Sequence, residues 1–232
     1  MKKNILYIVL AFMLQAKAQN STNPYGLSII STKKELINTI KSDGNKTLVD
    51  LKQYIPSLTL DIKYATTNNI FYKKLYSKPF AFMRLPAAKA LKKVQADLLQ
   101  LGISLKIYDA YRPYSVTCTM FNILPDTIYM GLPWKGSKHN RGIAVDLTII
   151  DNKTKKELQM PTPFDALVYA SNPQFKDLPN EKIKNRDLLI AYMKKHGFTV
   201  DPVEWWHFNY KSDTEFEILD ISQNTLFNFL NK

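Results

Sequence analysis

The chain has 232 residues, 45% of them hydrophobic and 12% aromatic, enough for one well-buried core and most simply one large domain. Seven glycines and twelve prolines exclude a low-complexity or fibrous chain. The formal charge of +12 first suggests nucleic acid, but the lysines are spread along the whole chain and form no block, so no nucleic-acid partner is expected; a basic protein near an anionic envelope, or one acting on carboxylate-bearing peptides, fits better.

In chain order, Lys2 and Lys3 precede a short apolar run, Ile5 to Leu14, and Ala16-Lys17-Ala18 has the small-x-small form that signal peptidase cuts. That run is about half of the roughly 20 residues a bilayer-crossing helix needs. Residues 1–18 therefore read as a signal peptide, and the mature chain as exported, periplasmic or secreted, without stable membrane insertion. Residues 19–47 read as an N-terminal arm and 48–232 as the main folded domain. Within the arm, Ser31-Thr32-Lys33-Lys34-Glu35 followed by Leu36, Ile37 and Ile40 has a cap-like start and reads as a short helix ending near Asp43-Gly44-Asn45.

Leu58 to Tyr64 alternates apolar and polar residues as a half-buried strand does, and Tyr64 falls where that strand hands over to a polar loop. Pro86 to Leu101 is the clearest helix, with Ala87, Ala90, Leu91, Val94, Leu98 and Leu101 at helical spacing and Gly102 as its stop. Ile103–Tyr108 is a strand, after which Arg112 precedes Pro113 and is expected to hold its guanidinium outward in extended geometry. A helix over Ser115–Leu124 places the single cysteine, Cys118, in the core as an inert residue. Gly142–Ile150 is a strand in which Ile143, Val145, Leu147 and Ile149 face one way and Asp146 the other. Asn185–Lys195 is a second helix. Glu204–Tyr210 looks like a further strand, and the last twenty residues carry no clear period.

Three histidines are present, and His196, before Gly197 at a helix end, has no assigned role. His139 and His207 each have a carboxylate nearby, Asp146 and Glu204. A carboxylate in mid-strand is costly unless paired or metal-bound. Two imidazoles and one carboxylate leave a tetrahedral zinc one open position, the pattern of a catalytic site, and a carboxylate outside the donor set can act as the base. Asp146 suits a fixed ligand. Glu204 and His207, three apart, reach one site only if the backbone turns or bulges near Glu204–Trp205.

Asp109-x-x-Arg112-Pro113, Ser137-x-His139-x-x-Gly142-x-Ala144-x-Asp146 and Glu204-Trp205-Trp206-His207 together resemble the D-alanyl-D-alanine dipeptidases, zinc peptidases of family M15 that include the dipeptidase of vancomycin resistance. Tyr64–Asn69 and Met160–Asp165 resemble two further segments of that family, and the resemblance spans roughly residues 48–212. It implies one zinc per chain held by His139, Asp146 and His207, with Glu204 as general base and Arg112 stabilising the oxyanion. It also implies substrate contacts at Tyr64 and Asp165 (the ammonium), at Ser137 (the carboxylate) and at Asp109. The chain departs from the family at Ala110 and Pro161, where glycine is common. The fold implied is α+β, an antiparallel sheet carrying the zinc ligands with helices packed on it, of the Hedgehog and D,D-peptidase kind. The expected function is hydrolysis of D-alanyl-D-alanine, a small D,D-dipeptide. The alternatives are a zinc D,D-carboxypeptidase acting on peptidoglycan stem peptides and a non-catalytic zinc-stabilised cell-wall binding module.

Overall fold

The computed structural model describes residues 23–230; the expected signal peptide lies outside them. The elements in chain order are β1 (Ile29–Ile30), α1 (Lys33–Ser42), β2 (Leu48–Asp50), α2 (Leu51–Tyr54), β3 (Thr59–Leu60), β4 (Phe82–Arg84), α3 (Leu85–Leu99), β5 (Ile103–Asp109), α4 (Tyr114–Ile123), β6 (Ala144–Asp151), α5 (Asn180–Lys195), β7 (Phe198–Val200), β8 (His207–Tyr210), β9 (Ile218–Leu219) and α6 (Gln223–Leu230). A five-stranded sheet in the order β3-β5-β6-β8-β7 forms the centre. Its pairs are antiparallel except β3 on β5, which is parallel, so the sheet is mixed at that edge. No helix among the described residues is long and apolar enough to cross a membrane.

The helices form where the apolar spacing and end signals fall. In α1, Thr32 Oγ1 accepts from the Glu35 amide while the Glu35 carboxylate accepts from the Thr32 amide, a reciprocal cap. α3 has Pro86 in its first turn and stops before Gly102, whose φ of +71° suits glycine. Leu91, Val94 and Leu98 bury one face of α3 in a core shared with Leu105 and Ile107 of β5, Val145, Leu147 and Ile149 of β6, and Leu189 and Met193 of α5. α5 starts five residues before the expected Asn185. Its first turns, Asn180-Glu181-Lys182-Ile183-Lys184, are polar and show no apolar period to read.

Other expectations change in detail. The strand over Leu58–Tyr64 is only Thr59–Leu60, because the chain turns at Lys63–Ala65 in a 3-10 turn that buries Tyr64 and Ala65. The strand expected from Glu204 begins at His207, after a turn in which the His207 amide reaches the Glu204 carbonyl at 3.4 Å. Cys118 is half-buried rather than in the core, since α4 buries the face of Tyr114, Thr117 and Met120 and Cys118 lies beside that face. Residues 29–42 pack against the C-terminal end of the chain. β1 pairs in parallel with β9, and Leu36 joins Leu48, Phe82, Tyr111, Leu219, Ile221 and Leu226 in a second apolar cluster.

Candidate metal centre

Strand register assembles the site. Asp146, near the start of β6, lies opposite Asp109 of β5 on one side and His207 of β8 on the other. His139 arrives from a 3-10 turn, His139–Arg141, that ends at Gly142 with φ +72° and hands over to β6. Only glycine adopts that left-handed conformation without strain, and a side chain there would press on Leu48 at 3.0 Å.

His139, Asp146 and His207 bring three donor atoms together. His139 Nε2 is 3.1 Å from His207 Nδ1 and 3.4 Å from Asp146 Oδ1, and His207 Nδ1 is 3.0 Å from that same oxygen. A tetrahedral zinc with bonds of about 2.0–2.1 Å needs donors about 3.3 Å apart, so the triangle has the right size. The ring orientations also fit. His139 Nδ1–H donates to the Ala110 carbonyl at 2.6 Å, leaving Nε2 as a lone pair. Two ring lone pairs and a carboxylate oxygen this close repel one another unless a proton or a metal ion lies between them. The Asp146 carboxyl is held below the usual carboxylate range: burial opposes this, but His139 and His207 outweigh it.

Glu204 stands beside the donors, with a carboxylate oxygen 3.8 Å from His207 Nδ1. Burial is the largest cause that pushes its pKa up, to about 8, with Asp146, Asp201 and Asp165 adding to it and His207 opposing. Arg112 is not turned outward as expected. It is 8% exposed, and its Nε and Nη2 both donate to Asp109 Oδ2, at 3.0 and 2.8 Å. Its Nη2 is also 3.8 Å from Asp146. Asp109, expected to touch substrate, is fully buried behind Arg112 and absent from the cleft wall; the Tyr76 hydroxyl donates to its other oxygen at 2.8 Å. Its place is to orient the guanidinium.

These groups face a cleft of about 220 Å³, also lined by Tyr64, Ser137 and Asp165. That is below the roughly 300–1,000 Å³ of sites for drug-sized ligands. The Tyr64 hydroxyl donates to both Asp165 oxygens, at 3.1 and 2.9 Å. Ser137 Oγ accepts from the His139 amide at 3.2 Å. Sequence reasoning missed Tyr76 and Asn140. The buried Asn140 donates to the Arg112 carbonyl and to Thr117 Oγ1, and its Oδ1 accepts from the Ser137 amide, so it ties the Arg112 loop to the His139 turn. A lone Tyr or Asn in a loop carries no periodic signal that would reveal either role.

A carboxylate kept out of the donor set yet beside it, facing a guanidinium across a small cleft, has the chemistry of a metal-dependent hydrolase. Known proteins narrow that class. Residues 44–229 match the family model of peptidase M15, D-ala-D-ala dipeptidase. A D-alanyl-D-alanine dipeptidase of Escherichia coli (strain K12) is 34% identical over 172 residues, 74% of this chain and 89% of the relative. One of Enterococcus faecalis (strain ATCC 700802 / V583) is 29% identical over 178 residues, 68% of this chain and 88% of the relative. A solved LD-carboxypeptidase, LdcB, overlaps more loosely, with a TM-score of 0.42 and 19% identity over 70% of this chain and 67% of that one. The chain belongs to peptidase family M15, the D-Ala-D-Ala dipeptidases.

Proposed function

We propose that this chain hydrolyses D-alanyl-D-alanine to two molecules of D-alanine, with one zinc ion held by His139, Asp146 and His207. The observation that carries the reading is the donor triangle with Glu204 at its edge. When bound there, zinc supplies Lewis acidity that polarises the scissile carbonyl and lowers the pKa of water. Glu204 takes a proton from the attacking water and returns it to the leaving amine. Its carboxylate lies beside the donors but outside them and lines the same cleft, which places it for both transfers. Arg112, fixed by Asp109, offers its guanidinium to the oxygen that gains charge. The Asp165–Tyr64 pair suits the substrate ammonium, and the Ser137 hydroxyl its carboxylate. The opening run from Lys2 to Ala18 supports export of the mature chain to the periplasm or beyond.

The test is a zinc-loaded assay on D-Ala-D-Ala and, separately, on an N-acylated D-Ala-D-Ala or a pentapeptide. The free dipeptide is the expected substrate. Glu204→Ala is expected to lose at least about 10³-fold in kcat while retaining zinc, and Arg112→Ala about 10²–10³-fold. Cleavage of the blocked substrates alone would sink the dipeptidase reading in favour of a carboxypeptidase.

A further inference from the structure

His207 differs from His139 in the nitrogen it turns to the donor triangle. His139 presents Nε2, whereas His207 presents Nδ1. For His207 to offer a lone pair at Nδ1, its ring proton must sit on Nε2, and that proton needs an acceptor. For His139 the backbone does this work through the Ala110 carbonyl. For His207 the acceptor is a side chain: Asn209 Oδ1 lies 3.2 Å from Nε2.

The strand explains why Asn209 is in reach. His207 and Asn209 are two apart on β8, so their side chains stand on the same face. Asn209 is held in register between Ala144 of β6 and Thr199 of β7, and Thr199 Oγ1 donates to its carbonyl at 3.2 Å. Ala144, directly opposite, has only a methyl group and leaves room for the amide to turn along the strand toward the imidazole. A neutral acceptor also suits the surroundings. Asp146, Asp165, Asp201 and Glu204 already line this cleft, and an amide adds no further negative charge.

We infer that Asn209 is a positioning residue that fixes the Nε2–H tautomer of His207 and so presents Nδ1 to the metal. The inference rests on the zinc reading above. It makes Asn209 a determinant of zinc affinity, although it contacts neither metal nor substrate in this role.

Zinc affinity is measured by competition with a chromogenic chelator, for the wild type, Asn209→Leu and Asn209→Asp. Loss of such an outer partner typically weakens a metal site about 10–100-fold, the loss expected of Asn209→Leu. Asn209→Asp restores an acceptor and is expected to bind zinc at least as tightly as the wild type. A merely structural role would not separate these two variants in that direction. If Asn209→Leu is too unstable to load, long-range ¹H–¹⁵N imidazole spectra of the zinc-loaded wild type decide the matter. A proton on His207 Nε2 is expected, and a proton on Nδ1 overturns the inference. Wild-type affinity in Asn209→Leu overturns it too while leaving the metal site standing. A wild type that binds no zinc overturns the metal reading and this inference together.

Discussion

Two aspartates in one cleft show how far surroundings decide the chemistry of a residue. Asp146 faces two imidazoles and is held ionised, whereas Asp165 has, among the described residues, only the Tyr64 hydroxyl as a side-chain partner. Burial, then Asp146, push the Asp165 pKa up from 3.8 to about 8, with Tyr64 and Arg112 opposing. Its backbone is unusual as well, with φ at +59°, where residues other than glycine rarely sit. Strain of this kind persists only where the surrounding structure over-determines it, and a buried carboxyl held there supports the ammonium contact proposed above. The sign of the pH effect follows. Between the unfolded pKa and the folded one, the folded protein binds more protons than the unfolded chain, so its stability falls as pH rises through that window. Melting curves of the metal-free protein and of Asp165→Asn, taken from about pH 5 to about pH 8, are expected to diverge, the variant gaining on the wild type as pH rises. Parallel curves would show that Asp165 is already ionised in the folded state. None of this was legible in the sequence. Asp165 was found by resemblance to a segment, and nothing in Met160–Asp165 announces a buried, strained carboxyl.

Elements were legible where they carry a period, and illegible where a distant partner makes them. α3 shows its apolar stripe and its stop, and β6 shows the odd carboxylate in an apolar run. β1 and β9 are two residues each and exist only because they pair with each other from opposite ends of the chain. The consequence reaches the site, because the segment that includes β9 backs both the Arg112 loop and the loop that leads into His139. The Tyr111 hydroxyl, next to Arg112, donates to the Ile221 carbonyl at 2.9 Å and accepts from the Ile221 amide at 3.0 Å. Gly136, just before Ser137, has φ +69°, and a Cβ there would lie 2.6 Å from Ile218 Cδ1. Gly136→Ala therefore meets two penalties, the left-handed backbone and the contact. A loss of about 1–3 kcal/mol is expected in chemical denaturation, with lower activity because Ser137 and His139 follow directly. Ile218→Val removes the offending methyl. Alone it is expected to cost about 0.5–1.5 kcal/mol, yet in the Gly136→Ala background it should recover part of the loss. Additive effects in that double-mutant cycle would mean that β9 does not press on the loop.

At the scale of the whole molecule, the charge distribution and the metal centre bear on the same question of stability. A chain with a net charge of +12 gathers Asp146, Asp165, Asp201 and Glu204 around one cleft. Those acids repel one another, and their mutual repulsion contributes to the raised pKa values of Glu204 and Asp165. A divalent cation in the donor triangle would neutralise part of that repulsion and join three pieces of chain: β6, β8 and the turn that precedes β6. An ion that binds the folded state and not the unfolded chain stabilises by RT ln(1 + [L]/Kd), about 2.7 kcal/mol at 100 times Kd. Chelation is therefore expected to lower the melting temperature of the wild type, and zinc to restore it. Glu204→Ala should show the same zinc-dependent shift as the wild type, because Glu204 is outside the donor set, even though its activity is gone. His139→Ala should lose most of that shift. The three proteins together separate binding from catalysis: an absent shift in Glu204→Ala would make Glu204 a ligand rather than the base, and a full shift in His139→Ala would remove His139 from the metal.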